Sequence, residues 1–228
     1  MRLNDYRWIE VEPSSNKEGR EQSLIIRRLG LQDYEPIWKS MRYIAEHPSD
    51  ERGDEIWLLS HKPVFTLGQA ADRKNILDSG NIPVIDIDRG GQVTYHGPGQ
   101  LVAYILLDIR KRRMSVRDLV SALESSMVNA LSHFGISAQT RPKAPGVYVN
   151  EAKIGALGLR IKNGKSYHGL SLNVDMDLAP FSKINPCGFE NLEVTQVSDH
   201  IEKSKFLMRD CSEILSKKLV GELGYDAL

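Results

Sequence analysis

Apolar residues recur along this chain with two periods, about 3.6 and about 2, and the places where one gives way to the other mark its elements. Residues 1–22 are polar and aperiodic, broken by Pro13, Ser14, Ser15, Asn16 and Gly19, and read as an N-terminal tail or a short docking segment. SLIIRRLG then reads as the first strand. Leu31, Tyr34, Trp38, Met41 and Ala45 share one helical face and predict an amphipathic helix over 31–46 that stops near Pro48. EIWLLS and IPVIDID are short, β-rich and bounded by turn formers, so both predict strands. QLVAYILLDI is apolar at consecutive positions and predicts a strand buried on both faces.

Ser115 caps a second helix. Its stripe of Val116, Leu119, Val120, Leu123, Met127, Ala130, Leu131 and Phe134 runs to Gly135, which ends it. GVYVN, KIGALGLRI and SYHGLSLNV predict three further strands, the last two joined by a hairpin turn at Asn163-Gly164-Lys165 and so antiparallel. A third amphipathic helix covers 204–223. Together these elements give an α/β protein, a single domain over 23–228 with a mixed sheet flanked by helices, and no repeat or linker divides it.

Composition narrows the function. The 228 residues are 41% hydrophobic and 26% charged, enough for one sizeable core. Thirty basic and thirty acidic residues cancel, so nothing draws the whole molecule to nucleic acid or to an anionic membrane. No apolar run approaches a membrane span, the N-terminus lacks the apolar core of a secretory signal, and two cysteines make no disulfide framework. The expected location is the cytoplasm, where a free thiol stays reduced.

The two cysteines differ in setting. Cys211 lies at helical spacing with Leu207, Leu215 and Leu219, and packing explains it. Cys187 lies in KINPCGFEN, framed by Pro186, which fixes φ, and Gly188, which permits φ > 0. Turns of that kind expose what they carry, which makes Cys187 a candidate nucleophile, although a lone cysteine is more often a small hydrophobe under a loop. A second unusual segment, RGGQVTYHGPGQ over 89–100, places four glycines in twelve residues between two strands. It runs into a strand rather than a helix and matches neither dinucleotide nor P-loop spacing, which disfavours a phosphate cradle. Arg89 and His96 flank it and suit a carbonyl or carboxylate, while the glycines leave room for a flat or elongated ligand; a purely structural hairpin fits the same residues equally well. His47, His61, His133 and His200 show no ligand spacing, so no metal is expected.

Taken together, RGGQVTYHGPGQLVAY, KIGALGLRI, SYHGLSLNVDMDLAPF and KINPCG, in that order and spacing, resemble the octanoyltransferases that acylate lipoyl domains in lipoate biosynthesis, of the biotin/lipoate protein ligase-like superfamily. The likeness spans roughly Ile56 to Val197. It implies a largely antiparallel central sheet, as in the biotin/lipoate protein ligase catalytic domain. It also implies that Cys187 takes the acyl group as a thioester and that Lys153 lowers its pKa, the thiolate being the nucleophilic form. The acyl pocket it implies is lined by Arg89, Gly90, Gly91, Gln92, Val93, Thr94, Tyr95 and His96, by Ala156, Leu157 and Gly158, and by His168, Gly169 and Leu170.

By the same resemblance the donor is octanoyl-acyl carrier protein, and the acceptors are lipoyl domains of 2-oxoacid dehydrogenase E2 subunits and the glycine cleavage H protein. No ATP is required, since the thioester is already activated, and a monomer without metal is expected. Lys153 serves as acid and then base, activation by lysine taking the place of a papain-like pairing of cysteine with His96 or His168. Arg110, Lys111, Arg112 and Arg113 form a dense basic run, which reads either as a solvated charge run, the commoner case, or as a docking patch for an acidic carrier. A lipoate ligase, which adenylates a free acid, needs no thiol nucleophile, and Cys187 weighs against it. A binding module without catalysis and a thioesterase are the other readings of the same residues.

Overall fold

The computed structural model describes residues 8–9, 24–47, 52–188, 192–202 and 204–225. Among them, eleven strands and three helices build one large and one small sheet. The large sheet holds β1 (Trp8–Ile9), β2 (Leu24–Gln32), β3 (Asp54–His61), β7 (Gln100–Leu106), β11 (Lys165–Asn173), β10 (Ala152–Lys162), β9 (Val147–Val149) and β8 (Gln139–Thr140), in that spatial order. Only β2 and β3 run parallel; every other neighbouring pair is antiparallel. The small sheet orders β5 (Val84–Asp86), β4 (Val64–Leu67) and β6 (Val93–His96).

Strand β7 is buried at every position, as its continuous apolar run predicts. Leu101, Ala103 and Ile105 point one way, into a core shared with helices α2 (Val116–His133) and α3 (Leu207–Glu222). Val102, Tyr104 and Leu106 point the other way, against Ile37, Met41 and Ala45 of helix α1 (Tyr34–Glu46). The sheet is thus sandwiched between helices. Ser115 and Asp118 form a reciprocal capping box at the start of α2. The β10–β11 hairpin turns through Asn163 and Gly164, both at positive φ, the conformation that favours this pair of residues.

Four expectations need correction. The first helix starts at Tyr34, not at residue 31, because Gly30, Leu31 and Gln32 stay paired with Leu59, Ser60 and His61 of β3. Leu31 is therefore exposed rather than on the helix's buried face. The glycine-rich segment is not all loop: Val93–His96 is β6, paired with β4, a strand the apolar pattern did not mark. Trp8 and Ile9, inside the expected tail, pair with Arg27 and Ile26 of β2; the other residues of 1–22, and Pro48, lie outside the described residues.

The fourth concerns the basic run. Arg112 turns inward, where its guanidinium pairs with Asp54 at 3.4 Å, stacks 4.3 Å from the Tyr225 ring centroid and donates to the Leu223 carbonyl. Asp54 also accepts from the Asp108 backbone N–H at 2.8 Å and the Tyr225 hydroxyl at 2.6 Å. Arg110, Lys111 and Arg113 stay exposed. Truncating one partner of a buried pair leaves the other charge uncompensated, so Arg112→Ala is expected to destabilise the fold by about 3 kcal/mol. Arg113→Ala, on the surface, should change stability by less than about 0.5 kcal/mol. Urea unfolding of the two variants checks the contrast.

Candidate active site

A cavity of about 400 Å³ opens between the two sheets. One wall is the glycine-bearing segment Ala156–Gly158 of β10 with His168–Ser171 of β11; the opposite wall is the 89–94 segment with His96. The two walls touch through their backbones. The Gly90 N–H donates to the Leu159 carbonyl at 3.0 Å, and a Cβ at Gly158 would lie 3.1 Å from the Gly90 carbonyl oxygen. Bulk is missing from this strand because the loop lies on it.

Of the residues singled out in the sequence, Arg89–Thr94, His96, Ala156–Gly158 and His168–Leu170 all line the cavity, as does Lys153. Tyr95 does not. Alternation along β6 turns its ring into the small sheet's core, 5.4 Å from Phe65 and 5.5 Å from Phe181 between centroids. Arg89 donates to the Thr66 carbonyl and hydroxyl, at 2.8 and 2.9 Å, and to the Gly90 carbonyl at 2.9 Å, so these contacts hold the loop in place.

Lys153 is only 5% exposed, unlike an ordinary strand lysine. Its Nζ donates to the Pro145 carbonyl at 2.9 Å and lies 5.4 Å from the Tyr148 ring centroid. Its backbone is clamped by the chain beyond the Cys187 turn: the Lys153 N–H donates to the Glu193 carbonyl at 2.8 Å, and the Thr195 N–H donates to the Lys153 carbonyl at 3.0 Å. Residues distant in sequence thereby share one corner of the molecule.

Cys187 sits in the single 3-10 turn Pro186–Gly188, closed by the Gly188 N–H donating to the Asn185 carbonyl at 2.9 Å, with Gly188 at φ +77°. Proline and glycine do there what their residue types require. The side chain of Cys187 lies outside the described residues. The turn borders the cavity through Gln92: a Cβ at Gly188 would lie 3.3 Å from Gln92 Cγ. Cys211 is buried in α3 against the core, and burial pushes its thiol up to about 12, leaving it protonated and inert.

Behind the cavity lies a cluster that no local motif announces. Tyr34 of α1 and Tyr104 of β7 line it, His61 Nε2 is 2.7 Å from the Tyr104 hydroxyl, and His96 Nδ1 is 2.7 Å from Gln100 Oε1. Burial drives His61 down to about 4; burial and the neighbouring His61 drive His96 down to about 3. Burial likewise raises the Tyr34 and Tyr104 hydroxyls. All four are neutral at physiological pH. His168, held at φ +60°, places Nε2 3.0 Å from Asp88 Oδ1, which also accepts from Trp38 Nε1 at 2.8 Å while Asp88 Oδ2 accepts from the Tyr167 hydroxyl. Burial works to raise the Asp88 carboxyl, but these three donors outweigh it and hold it well below the usual range. Burial lowers His168, against the opposing pull of Asp88.

The model of the lipoyl protein ligase A/B catalytic domain family matches residues 33–220. Relatives named octanoyltransferase include one from Vibrio atlanticus, 52% identical over 206 residues, covering 90% of this chain and 93% of the relative. Another, from Pseudomonas fluorescens, is 54% identical over 199 residues, covering 87% and 92%. The chain belongs to the octanoyltransferase family. As a member it is an acyltransferase. Solved structures share its fold: lipoate-protein ligase A bound with ATP has a TM-score of 0.71 at 16% identity, over 92% of this chain and 88% of that one. A lipoate protein ligase from Thermoplasma acidophilum has a TM-score of 0.67 at 19% identity, over 88% and 85%. A biotin protein ligase from Aquifex aeolicus has 0.52 at 14%, over 88% and 68%. No helix among the described residues is long and apolar enough to cross a membrane.

Two outcomes follow from the site's packing and charge. A methyl group at Gly146, whose φ is +130°, would lie 2.5 Å from Lys153 Cε and 2.6 Å from the Gly155 carbonyl. Gly146→Ala should therefore displace Lys153 and lower acyl transfer by about 100-fold, measured at saturating substrate. His61 and His96 are depressed in the folded state, so the unfolded chain takes up their protons first, and stability falls as pH drops from about 6.5 toward about 4. Urea midpoints at about pH 7 and about pH 5 check this, and the His96→Gln variant should show a smaller drop.

Proposed function

We propose that this enzyme transfers an octanoyl group from octanoyl-acyl carrier protein to the ε-amine of a lysine on lipoyl domains, through a thioester on Cys187. The observation that carries the reading is Lys153, a buried amine at the wall of a cavity that the Cys187 turn borders through Gln92. The acceptors are the lipoyl domains of 2-oxoacid dehydrogenase E2 subunits and the glycine cleavage H protein. The same reading takes the protein to act as a monomer.

In the first step the Cys187 thiolate attacks the donor carbonyl. A carbon–sulfur bond forms to Cys187, the bond to the phosphopantetheine sulfur breaks, and Lys153 gives that sulfur a proton. In the second step the acceptor amine attacks the new thioester, a carbon–nitrogen bond forms, the Cys187 bond breaks, and Lys153 takes up the amine proton. Every bond made is matched by one broken, and because the donor thioester is already activated the reading calls for no ATP; no metal is part of it. Six methylenes at about 0.8 kcal/mol each give about 5 kcal/mol for seating the chain, enough for capture by the alkyl group alone. Each methylene missing from a shorter chain removes only about 0.8 kcal/mol of that, so selection against a chain one or two carbons shorter is leaky. Exposed Arg110, Lys111 and Arg113 supply positive charge for an acidic carrier.

Intact-mass measurement tests the reading. Mixed with octanoyl-carrier protein, without ATP, the wild type should gain one octanoyl group and Cys187→Ser none; Lys153→Ala should acylate slowly. Adding a lipoyl domain should move the group to that domain. Loading of Cys187→Ser at the wild-type rate, or a strict need for ATP, would overturn it.

A further inference from the structure

The Pro145 carbonyl that holds Lys153 and the Gly146 N–H belong to one peptide unit, and the two ends of that unit are gripped by different side chains. Lys153 Nζ donates to the carbonyl at 2.9 Å. On the other side, the Gly146 N–H donates to Glu124 Oε1 at 2.9 Å, from helix α2. A trans peptide is planar, with N–H and C=O pointing opposite ways, so fixing one end fixes the other. The Glu124 carboxylate thus aims the carbonyl at Lys153 and polarises it as an acceptor.

The surrounding chain lacks regular structure to do this job. Residues 141–146 lie between β8 and β9, with Lys143 at φ +63° and Gly146 at φ +130°. Nearby contacts are the Ala144 N–H to the Arg141 carbonyl at 3.3 Å and the Tyr148 hydroxyl to the Ala144 carbonyl at 3.2 Å. Neither sets the plane of the 145–146 peptide; the Glu124 contact does.

We propose that Glu124 is a positioning residue for acyl transfer, acting through the 145–146 peptide to hold Lys153 Nζ at its place in the cavity wall. The role rests on the reading of Lys153 as the proton carrier. It requires an acceptor oxygen at the reach of a glutamate, rather than a charge. Glutamine supplies that oxygen without the charge, whereas aspartate keeps the charge one methylene short.

Steady-state turnover of octanoyl-carrier protein with a lipoyl domain tests it. Glu124→Ala and Glu124→Asp should lower kcat by about tenfold to 100-fold, with KM for the donor unchanged. Glu124→Gln should stay close to wild type, and Glu124→Ala should slow a Lys153→Ala enzyme no further. Should Glu124→Ala fail to fold, the contrast of Asp with Gln gives the same reading. Wild-type kcat in Glu124→Asp, or equal loss in Glu124→Asp and Glu124→Gln, would overturn the positioning role, as would an added loss on the Lys153→Ala background. Lys153→Ala at wild-type turnover would overturn the lysine reading and this role together. Wild-type turnover of Glu124→Asp beside an inactive Lys153→Ala would overturn this role alone.

Discussion

The burial of β7 on both faces is the constraint from which the rest of the molecule follows. A strand with no solvent side must be covered twice, so α2 and α3 close one face and α1 the other. Its antiparallel neighbour β11 carries the cavity wall on toward β10, and Gly169 lets the two backbones approach: a Cβ there would lie 2.1 Å from the Ala103 carbonyl oxygen. The cavity is the space left where the small sheet's loop rests on this layer.

The chemistry of that space follows from the burial of its lining. Burial opposes charge on Tyr34, Tyr104 and His96 in the wall and on His61 behind it, which gives walls tolerant of an alkyl chain. The amine of Lys153 is placed at one side, its Nζ donating to the Pro145 carbonyl.

Local patterns were legible where local physics decides. The stripe of α2, the cap at Ser115, the Asn163-Gly164 turn and the glycine after Cys187 all appear where residue type demanded. Leu31 misled because helical spacing continued into residues that pair with β3, and tertiary pairing outweighs a periodic pattern. The four residues of β6 were hidden by the glycines around them. Most cavity-lining positions entered through a family likeness, whereas the pairing of the Lys153 backbone with the chain beyond Cys187 carried no signal; spacing alone gives no contact between strand and distant loop. Tyr34, Tyr104 and Asp88 carried no local signal, because their roles arise only when three elements converge.

Asp88 gathers Trp38 from the outer helix and Tyr167 and His168 from the sheet, and it directly precedes Arg89 in the chain. With no residue between hub and loop there is no slack between them. Helix α1 is therefore mechanically part of the pocket: a shift of its Trp38 pulls on the same carboxylate that anchors the cavity-lining loop. The wall of the cavity extends, in this sense, to the far side of the sheet.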